Sequence, residues 1–141
     1  MLLPDVNVLL AAFRPDHTHH EPCRRWIGAV VDGEARFGLS TLALAALVRI
    51  STNARIFPRP SAHSHAVGFC DDLLEQPHAV CVDPGERHWP IFKRLIEAAE
   101  VRGPLVTDAW YAALAIEWGC EWVTLDRDYA RFAGLKWSLP E

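Results

Sequence analysis

Short apolar segments alternate along the chain with longer segments in which apolar residues recur every three or four positions. The short segments predict strands at residues 2–3, 37–39, 79–82, 105–106, 122–125 and 136–139. The longer segments predict helices at residues 6–13, 21–31, 41–52, 62–74, 108–118 and 126–133, and one more that the turn at 83–85 opens and Gly103 ends. Such alternation predicts a central, mainly parallel sheet covered by helices, in a single α/β domain spanning residues 1–141.

Several residues support the predicted ends of these helices. Pro22 suits a first helical turn, and Ser40 and Thr107 are suitable N-caps for the helices that follow them. Gly119 suits the end of the helix at 108–118.

Composition limits the classes of protein to which the chain can belong. Half of its 141 residues are apolar and 23% are charged, a balance typical of a folded domain. No apolar run approaches the roughly 18 residues that cross a bilayer, and the start lacks the basic segment of a signal peptide. We therefore expect a cytoplasmic protein without a membrane partner.

The net charge of −4 disfavours a generally basic surface for nucleic acid. The cationic residues are almost all arginines, 12 against two lysines, and arginine suits phosphate contacts and stacking on bases. Any nucleic-acid site must therefore be a local patch.

The positions of the cysteines and tryptophans predict which of these side chains are buried and which lie at an interface. No CxxC pair occurs, which excludes a zinc knuckle or a thioredoxin motif, and we expect all four cysteines to be reduced and buried. Trp110, Trp118 and Trp122 are expected in the core, and Trp26 and Trp89 are candidates for an interface.

Three carboxylates follow predicted strands or begin the next helix, namely Asp5, Asp108 and Asp126, and Asp128 lies two residues beyond the last. Ligands of parallel sheets bind beyond the carboxyl ends of the strands, where these side chains would repel one another without a cation between them. Oxygen ligands suit Mg²⁺ or Mn²⁺, which assists phosphodiester hydrolysis. Taken singly, each Asp could instead serve only as a helix N-terminal residue.

The residues around Asp5 disfavour another class of enzyme, a phosphatase of the haloacid-dehalogenase type. That chemistry needs a second Asp two residues after the first and a Lys near the site. Position 7 is Asn, and the two lysines, Lys93 and Lys136, are not well placed.

The segments LLPDVNVLLAAF, TDAWYAALAIEWG and VTLDRDYARF, in this order, resemble the PIN domain and more narrowly the VapC toxins of type II toxin–antitoxin modules. The resemblance implies a three-layer α/β/α fold, a Mg²⁺- or Mn²⁺-dependent endoribonuclease, a homodimer, and a VapB-like antitoxin that binds and inhibits it. By matched motif, Asp5, Asp108 and Asp126 would be the catalytic and metal-binding acids. Asn7, Thr124 and Ser40 would support them without binding the metal.

One position departs from this family pattern. A Glu is expected about six residues after Ser40, where the chain has Ala46. Three interpretations remain open: one ion held by the three acids with help from Asp128, a more weakly bound ion, or a degenerate PIN domain that binds RNA or a protein without cleaving.

The end of the helix at 41–52 is the best candidate for an RNA-binding segment. It combines Arg49, Asn53, Arg55 and Arg59 with an aromatic residue, a mixture suited to phosphates and unstacked bases. The alternative is a solvated helix end, where arginine favours the helix dipole.

Overall fold

The structure, a computed structural model, describes all residues 1–141 and combines a five-stranded sheet with six α-helices. The strands are β1 (Leu2–Pro4), β2 (Phe37–Leu39), β3 (Ala79–Cys81), β4 (Glu121–Val123) and β5 (Trp137–Ser138). The helices are α1 (Val6–Phe13), α2 (His20–Asp32), α3 (Thr41–Ser51), α4 (His63–Leu74), α5 (His88–Ala99) and α6 (Pro104–Trp118). A short 3₁₀ helix at Arg127–Arg131 lies between β4 and β5.

Every strand pairs in parallel with its neighbours, in the order β3-β2-β1-β4-β5. The central strand β1 lies between β2 and β4, with Leu3 opposite Trp122. The backbone N–H of Asp5 donates to the carbonyl of Val123 at 2.8 Å, which continues the β1–β4 pairing past the end of β1. This pairing brings the residues that follow the two strands side by side.

Successive residues of these strands point to opposite faces of the sheet. Leu3 and Trp122 belong to a large apolar cluster that includes side chains from α3, α4, α5 and α6. Val123 belongs to a second cluster with Val8 from α1 and Trp26 from α2. Helices therefore cover both faces, and the predicted three-layer α/β/α fold with its parallel sheet is confirmed.

The strand predicted at residues 105–106 is wrong, because these residues form the first turn of α6. Gly103 has a φ of 58°, which favours glycine, and Pro104 follows as the first helical residue, where its missing N–H costs nothing. Leu105 and Val106 pack against the large apolar cluster instead of pairing with a strand. Thr107 consequently lies inside the helix and is not its cap.

The other elements agree with the prediction to within a few residues, with two differences of detail. The helix expected to open at the turn 83–85 begins only at His88. The short helix predicted at 126–133 is a 3₁₀ helix. The Ser40 hydroxyl accepts a hydrogen bond from the N–H of Ala43, as expected of an N-cap.

Some burial predictions are also wrong. Trp118 is 42% exposed because it ends α6 beyond the sheet, where its indole N–H donates to the carbonyl of Asp83. Cys81 is exposed on the edge strand β3, and the other three cysteines are buried. Trp26 packs inside the second cluster, whereas Trp89 is exposed. None of the helices is long and apolar enough to cross a membrane.

Candidate active site

A cavity of about 320 Å³ lies beyond the carboxyl ends of β1 and β4. Three acidic side chains that are far apart in the sequence line it, namely Asp5, Asp108 and Asp126. A larger cavity of about 520 Å³ lies at the opposite ends of the strands, near Leu2 and Phe37. The carboxyl ends of parallel strands are where ligands bind, so the smaller cavity is the candidate site.

Asp5 is held by a chain of hydrogen bonds between the ends of β1 and β4. The Thr124 hydroxyl donates to Asp5 Oδ2 at 2.7 Å. The same hydroxyl oxygen accepts from Asn7 Nδ2 at 3.1 Å and from the backbone N–H of Asp126 at 3.0 Å. Asn7 Oδ1 in turn accepts from the backbone N–H of Leu125 at 3.1 Å. Because the hydroxyl accepts two bonds and has one proton, that proton is directed at Asp5.

Asp5 is 3% exposed, and this burial raises the pKa of its carboxyl group to about 6. The hydrogen bond from Thr124 and the nearby N–H of Val6 act in the opposite direction, and the charge of Asp108 adds to the increase. Loss of solvation is thus only partly compensated by hydrogen bonding to the carboxylate.

Asp108 reaches the cavity from the second turn of α6 and not from the end of a strand. Burial raises its pKa, and the charge of Asp126 raises it further. The Tyr129 hydroxyl donates to Asp108 Oδ1 at 3.4 Å and opposes this increase. Asp108 therefore lies with Asp5 and Asp126 around one cavity, and its charge contributes to the raised pKa of Asp5.

Asp126 and Asp128 have different surroundings. Asp126 lines the cavity and caps the 3₁₀ helix, since its Oδ1 accepts from the backbone N–H of Asp128 at 2.8 Å. Asp128 is exposed, does not line the cavity, and pairs with Arg131 at 3.6 Å. Ser40 does not line the cavity either. Its hydroxyl instead caps α3 by accepting from the N–H of Ala43.

The acidic residues suit a hard cation that keeps part of its water shell. No group of three or more His, Cys, Asp or Glu side chains is close enough to form a complete coordination cage. Asp108 and Asp126 each have one oxygen in a hydrogen bond with the protein and a second oxygen without such a bond, and Asp5 Oδ2 accepts from Thr124. Mg²⁺ commonly takes one or two carboxylates and several waters, and this donor set fits that mode.

Of the predicted RNA-binding residues, only Arg49 lines the cavity, beside Ala46 one turn earlier on α3. Asn53 Oδ1 accepts from the N–H of Arg55 at 2.9 Å, and the carbonyl of Arg59 accepts from the buried Arg14 at 2.9 Å. These contacts order the segment after α3 but do not direct it into the cavity.

Sequence analysis did not identify the two tyrosines of the cavity, Tyr111 and Tyr129. Both lie within the motifs quoted above, three residues after Asp108 and Asp126 respectively. On a helix this spacing places a residue on the same side as the acid, so the spacing alone indicated that both tyrosines lie near the acids.

A PIN domain family model matches residues 2–135 of the chain. Over 140 residues the chain is 40% identical to Ribonuclease VapC25 and 39% identical to Ribonuclease VapC31, both of Mycobacterium tuberculosis, with 99% of each chain covered. Among solved structures, VapBC2 from Rickettsia felis, bound to a DNA fragment from their promoter, has a TM-score of 0.70 and 14% identity. That match covers 99% of this chain and 98% of the other, and it concerns the fold alone.

Proposed function

This chain belongs to the PIN domain family and is related to the VapC ribonucleases, and from that premise we propose that it is a metal-dependent endoribonuclease that hydrolyses RNA phosphodiester bonds. The observation that carries the proposal is the cavity in which Asp5, Asp108 and Asp126 come together from three separate parts of the chain. These acids are the proposed catalytic and metal-binding residues, and Mg²⁺ or Mn²⁺ is the proposed cofactor.

When bound, the ion supplies Lewis-acid polarisation of the phosphodiester and of the attacking water. Thr124, itself bonded to Asn7, holds the Asp5 carboxyl group in one orientation at the edge of the cavity. Tyr129 does the same for Asp108 through the longer contact of 3.4 Å. Asp128, whose side chain is exposed, would act by adding negative charge near Asp126 and not by direct ligation.

The RNA chain would enter along the end of α3. Arg49 is the cationic side chain at the cavity itself. Asn53, Arg55 and Arg59 would contact nucleotides further from the site, where their role is to raise affinity through phosphate and base contacts.

We further infer that the protein is the toxin of a type II toxin–antitoxin module. It would form a homodimer and a larger complex with a VapB-like antitoxin that inhibits it. The relatives named VapC and the fold shared with a VapBC complex support this inference.

The test is cleavage of total cellular RNA by purified, antitoxin-free protein with Mg²⁺, with Mn²⁺ and with EDTA. Discrete fragments are expected with either metal and not with EDTA, and Asp5→Asn should abolish them. Asp71→Asn is the matched control, because Asp71 is exposed on α4 and does not line the cavity. Sequencing the fragment ends would identify the RNA target.

A folded wild-type protein that leaves RNA intact with both metals would overturn the nuclease proposal. In that case the degenerate PIN domain, to which Ala46 points, becomes the better account. Growth arrest on expression without antitoxin provides a second readout, and arrest that survives Asp5→Asn would also contradict the proposal.

A further inference from the structure

Tyr111 is a buried polar residue whose position the carboxylate chemistry does not explain. The side chain is 4% exposed and lines the cavity. Its hydroxyl makes no hydrogen bond within the protein. Among the buried side-chain polar atoms, Trp122 Nε1 alone is both sealed from solvent and without a partner. The Tyr111 hydroxyl also has no partner, so it is not sealed from solvent, and it opens onto the cavity that Tyr111 lines.

The ring of Tyr111 is fixed by its neighbours. It stacks on Trp122, with 5.2 Å between ring centroids and 23° between planes, and Trp110 packs against it edge-on at 5.5 Å. Trp122 is fully buried in the sheet. A hydroxyl held in this way loses little conformational entropy when a ligand binds, which is the condition for a preorganised contact.

Burial keeps the Tyr111 hydroxyl protonated. Burial raises the pKa of Tyr111 to about 12, the charges of Asp5 and Asp108 raise it as well, and Arg49 lowers it. Arg49 is the only cationic side chain that lines the cavity. The cavity is therefore lined by a phenol and a guanidinium, and both are hydrogen-bond donors.

Ala46 also lines the cavity, and it lies one turn before Arg49 on α3. Its side chain is a single methyl group, which fills little of the cavity that it shares with the donors and the acids. An acceptor with negative charge could occupy that space, since it would meet donors that no protein acceptor satisfies.

We propose that the Tyr111 hydroxyl and the Arg49 guanidinium form a subsite that binds a non-bridging oxygen of the RNA phosphodiester. The subsite rests on the proposed nuclease function, and it names the side chains that position the phosphate beside the three acids. Tyr111 is a substrate-positioning residue in this account. The Arg49 guanidinium neutralises part of the phosphate charge that the acids would otherwise repel, and the neutral Tyr111 hydroxyl adds a hydrogen bond.

The first test uses fluorine NMR, because the chain has only two tyrosines. Protein labelled with 3-fluorotyrosine shows two signals, and the one missing from Tyr111→Phe belongs to Tyr111. Titration with inorganic phosphate in the presence of Mg²⁺ should shift the Tyr111 signal. Arg49→Gln should weaken this response several-fold, and Arg94→Gln, a change of an exposed arginine on α5, should leave it unchanged.

The second test is kinetic. Tyr111→Phe keeps the stacked ring and removes only the hydroxyl, so the fold should be retained. Loss of a hydrogen bond to a charged group should lower kcat/KM for RNA by about tenfold or more, chiefly through a higher KM.

The outcomes separate the subsite from the nuclease activity. If the wild-type protein cleaves RNA, but Tyr111→Phe has the same kcat/KM and phosphate leaves the Tyr111 signal in place, the subsite is wrong and the nuclease stands. If the wild-type protein does not cleave, the nuclease proposal fails and the phosphate titration alone decides the subsite. A Tyr111 signal that moves equally in Arg49→Gln contradicts the pairing of the two donors.

Discussion

The Thr124 hydroxyl lies 2.7 Å from Asp5 Oδ2 and is the only side-chain donor to that carboxyl group. The two residues are 119 positions apart, and the parallel pairing of β1 with β4 brings them together. Thr124 also accepts from Asn7 Nδ2 and from the N–H of Asp126, so one fully buried hydroxyl links two of the three acids. Replacement of this hydroxyl should therefore affect both stability and chemistry.

Thr124→Val keeps the shape of the side chain and removes the hydroxyl. Because Asn7 Nδ2 and the Asp126 N–H lose their acceptor, the free energy of unfolding should fall by about 1–3 kcal/mol. Loss of the donor should also raise the pKa of Asp5 further, so that metal-dependent cleavage needs a higher pH. The measurements are denaturant unfolding and the pH profile of kcat/KM.

Thr124→Ser is the control for this change, because it keeps the donor and removes only a methyl group. Its pH profile should match that of the wild type even if its stability falls. Identical pH profiles for the Val and Ser variants would contradict the role assigned to the hydroxyl.

Asp5 should make the protein less stable as the pH rises. Its pKa is raised from 3.8 to about 6 in the folded state, so the folded protein binds a proton in this range that the unfolded chain has released. The stability of the wild type should fall as the pH increases from about 4 to about 6. Asp5→Asn should therefore unfold with a free energy on the order of 2–3 kcal/mol higher than the wild type at pH 8, and with no advantage at pH 4.

Denaturant unfolding at the two pH values measures this effect, with Asp71→Asn as the control for the loss of an exposed carboxylate. Mg²⁺ should stabilise the wild type at pH 8 and not Asp5→Asn, because the ion favours the deprotonated carboxyl group. An Asp5→Asn variant less stable than the wild type at pH 8 would mean that the buried carboxylate is better compensated than its surroundings indicate.

The fold was largely predictable because alternation of short apolar strands and amphipathic helices leaves few arrangements other than a covered parallel sheet. Leu105 and Val106 were the exception, because they form the first turn of α6 and not a strand. Two apolar residues fit a strand and a helix equally well, and only the preceding Gly103–Pro104 pair indicated a helix start. Asp108 nevertheless lines the cavity as predicted, although α6 and not a strand presents it.

The parts of the site that were missed depend on contacts between distant residues. Tyr111 becomes a cavity residue through its stack on Trp122, and Arg14 orders the segment after α3 through Arg59 and Ser61. Neither relation has a local sequence pattern. In contrast, Asp5 and Asp126 directly follow short apolar segments, and their position at one edge of the sheet follows from parallel pairing alone.

Gly38 should be required by packing in the middle of β2. A Cβ atom there would lie 2.7 Å from Val82 Cγ2 and 3.1 Å from Leu3 Cδ1, and both of those residues are fully buried. Gly38→Ala should lower the free energy of unfolding by about 1–3 kcal/mol, because neither side chain can move without disturbing the core. Gly28→Ala on α2 is the matched control, since nothing lies within 4 Å of its added Cβ.

The control should be neutral or more stable by up to about 1 kcal/mol, because alanine favours a helix over glycine. Thermal unfolding of the two variants beside the wild type measures both effects. Equal stability of Gly38→Ala and the wild type would contradict this prediction, because it would mean that Val82 and Leu3 move away from the added Cβ with little loss of free energy.

Ala46→Glu should not increase metal-dependent cleavage, and it should weaken RNA binding. Position 46 lies one turn before Arg49, so a carboxylate there would pair with the guanidinium and remove it from the cavity. The added negative charge would also raise the pKa values of Asp5 and Asp108, so that the existing acids bind a cation less readily at neutral pH.

Ala46→Gln has the same shape without the charge and is the control. Calorimetric titration with Mg²⁺ and kcat/KM for RNA would separate the two variants. A tenfold gain of Ala46→Glu over Ala46→Gln in both measurements would mean that the three acids of this chain form an incomplete metal site.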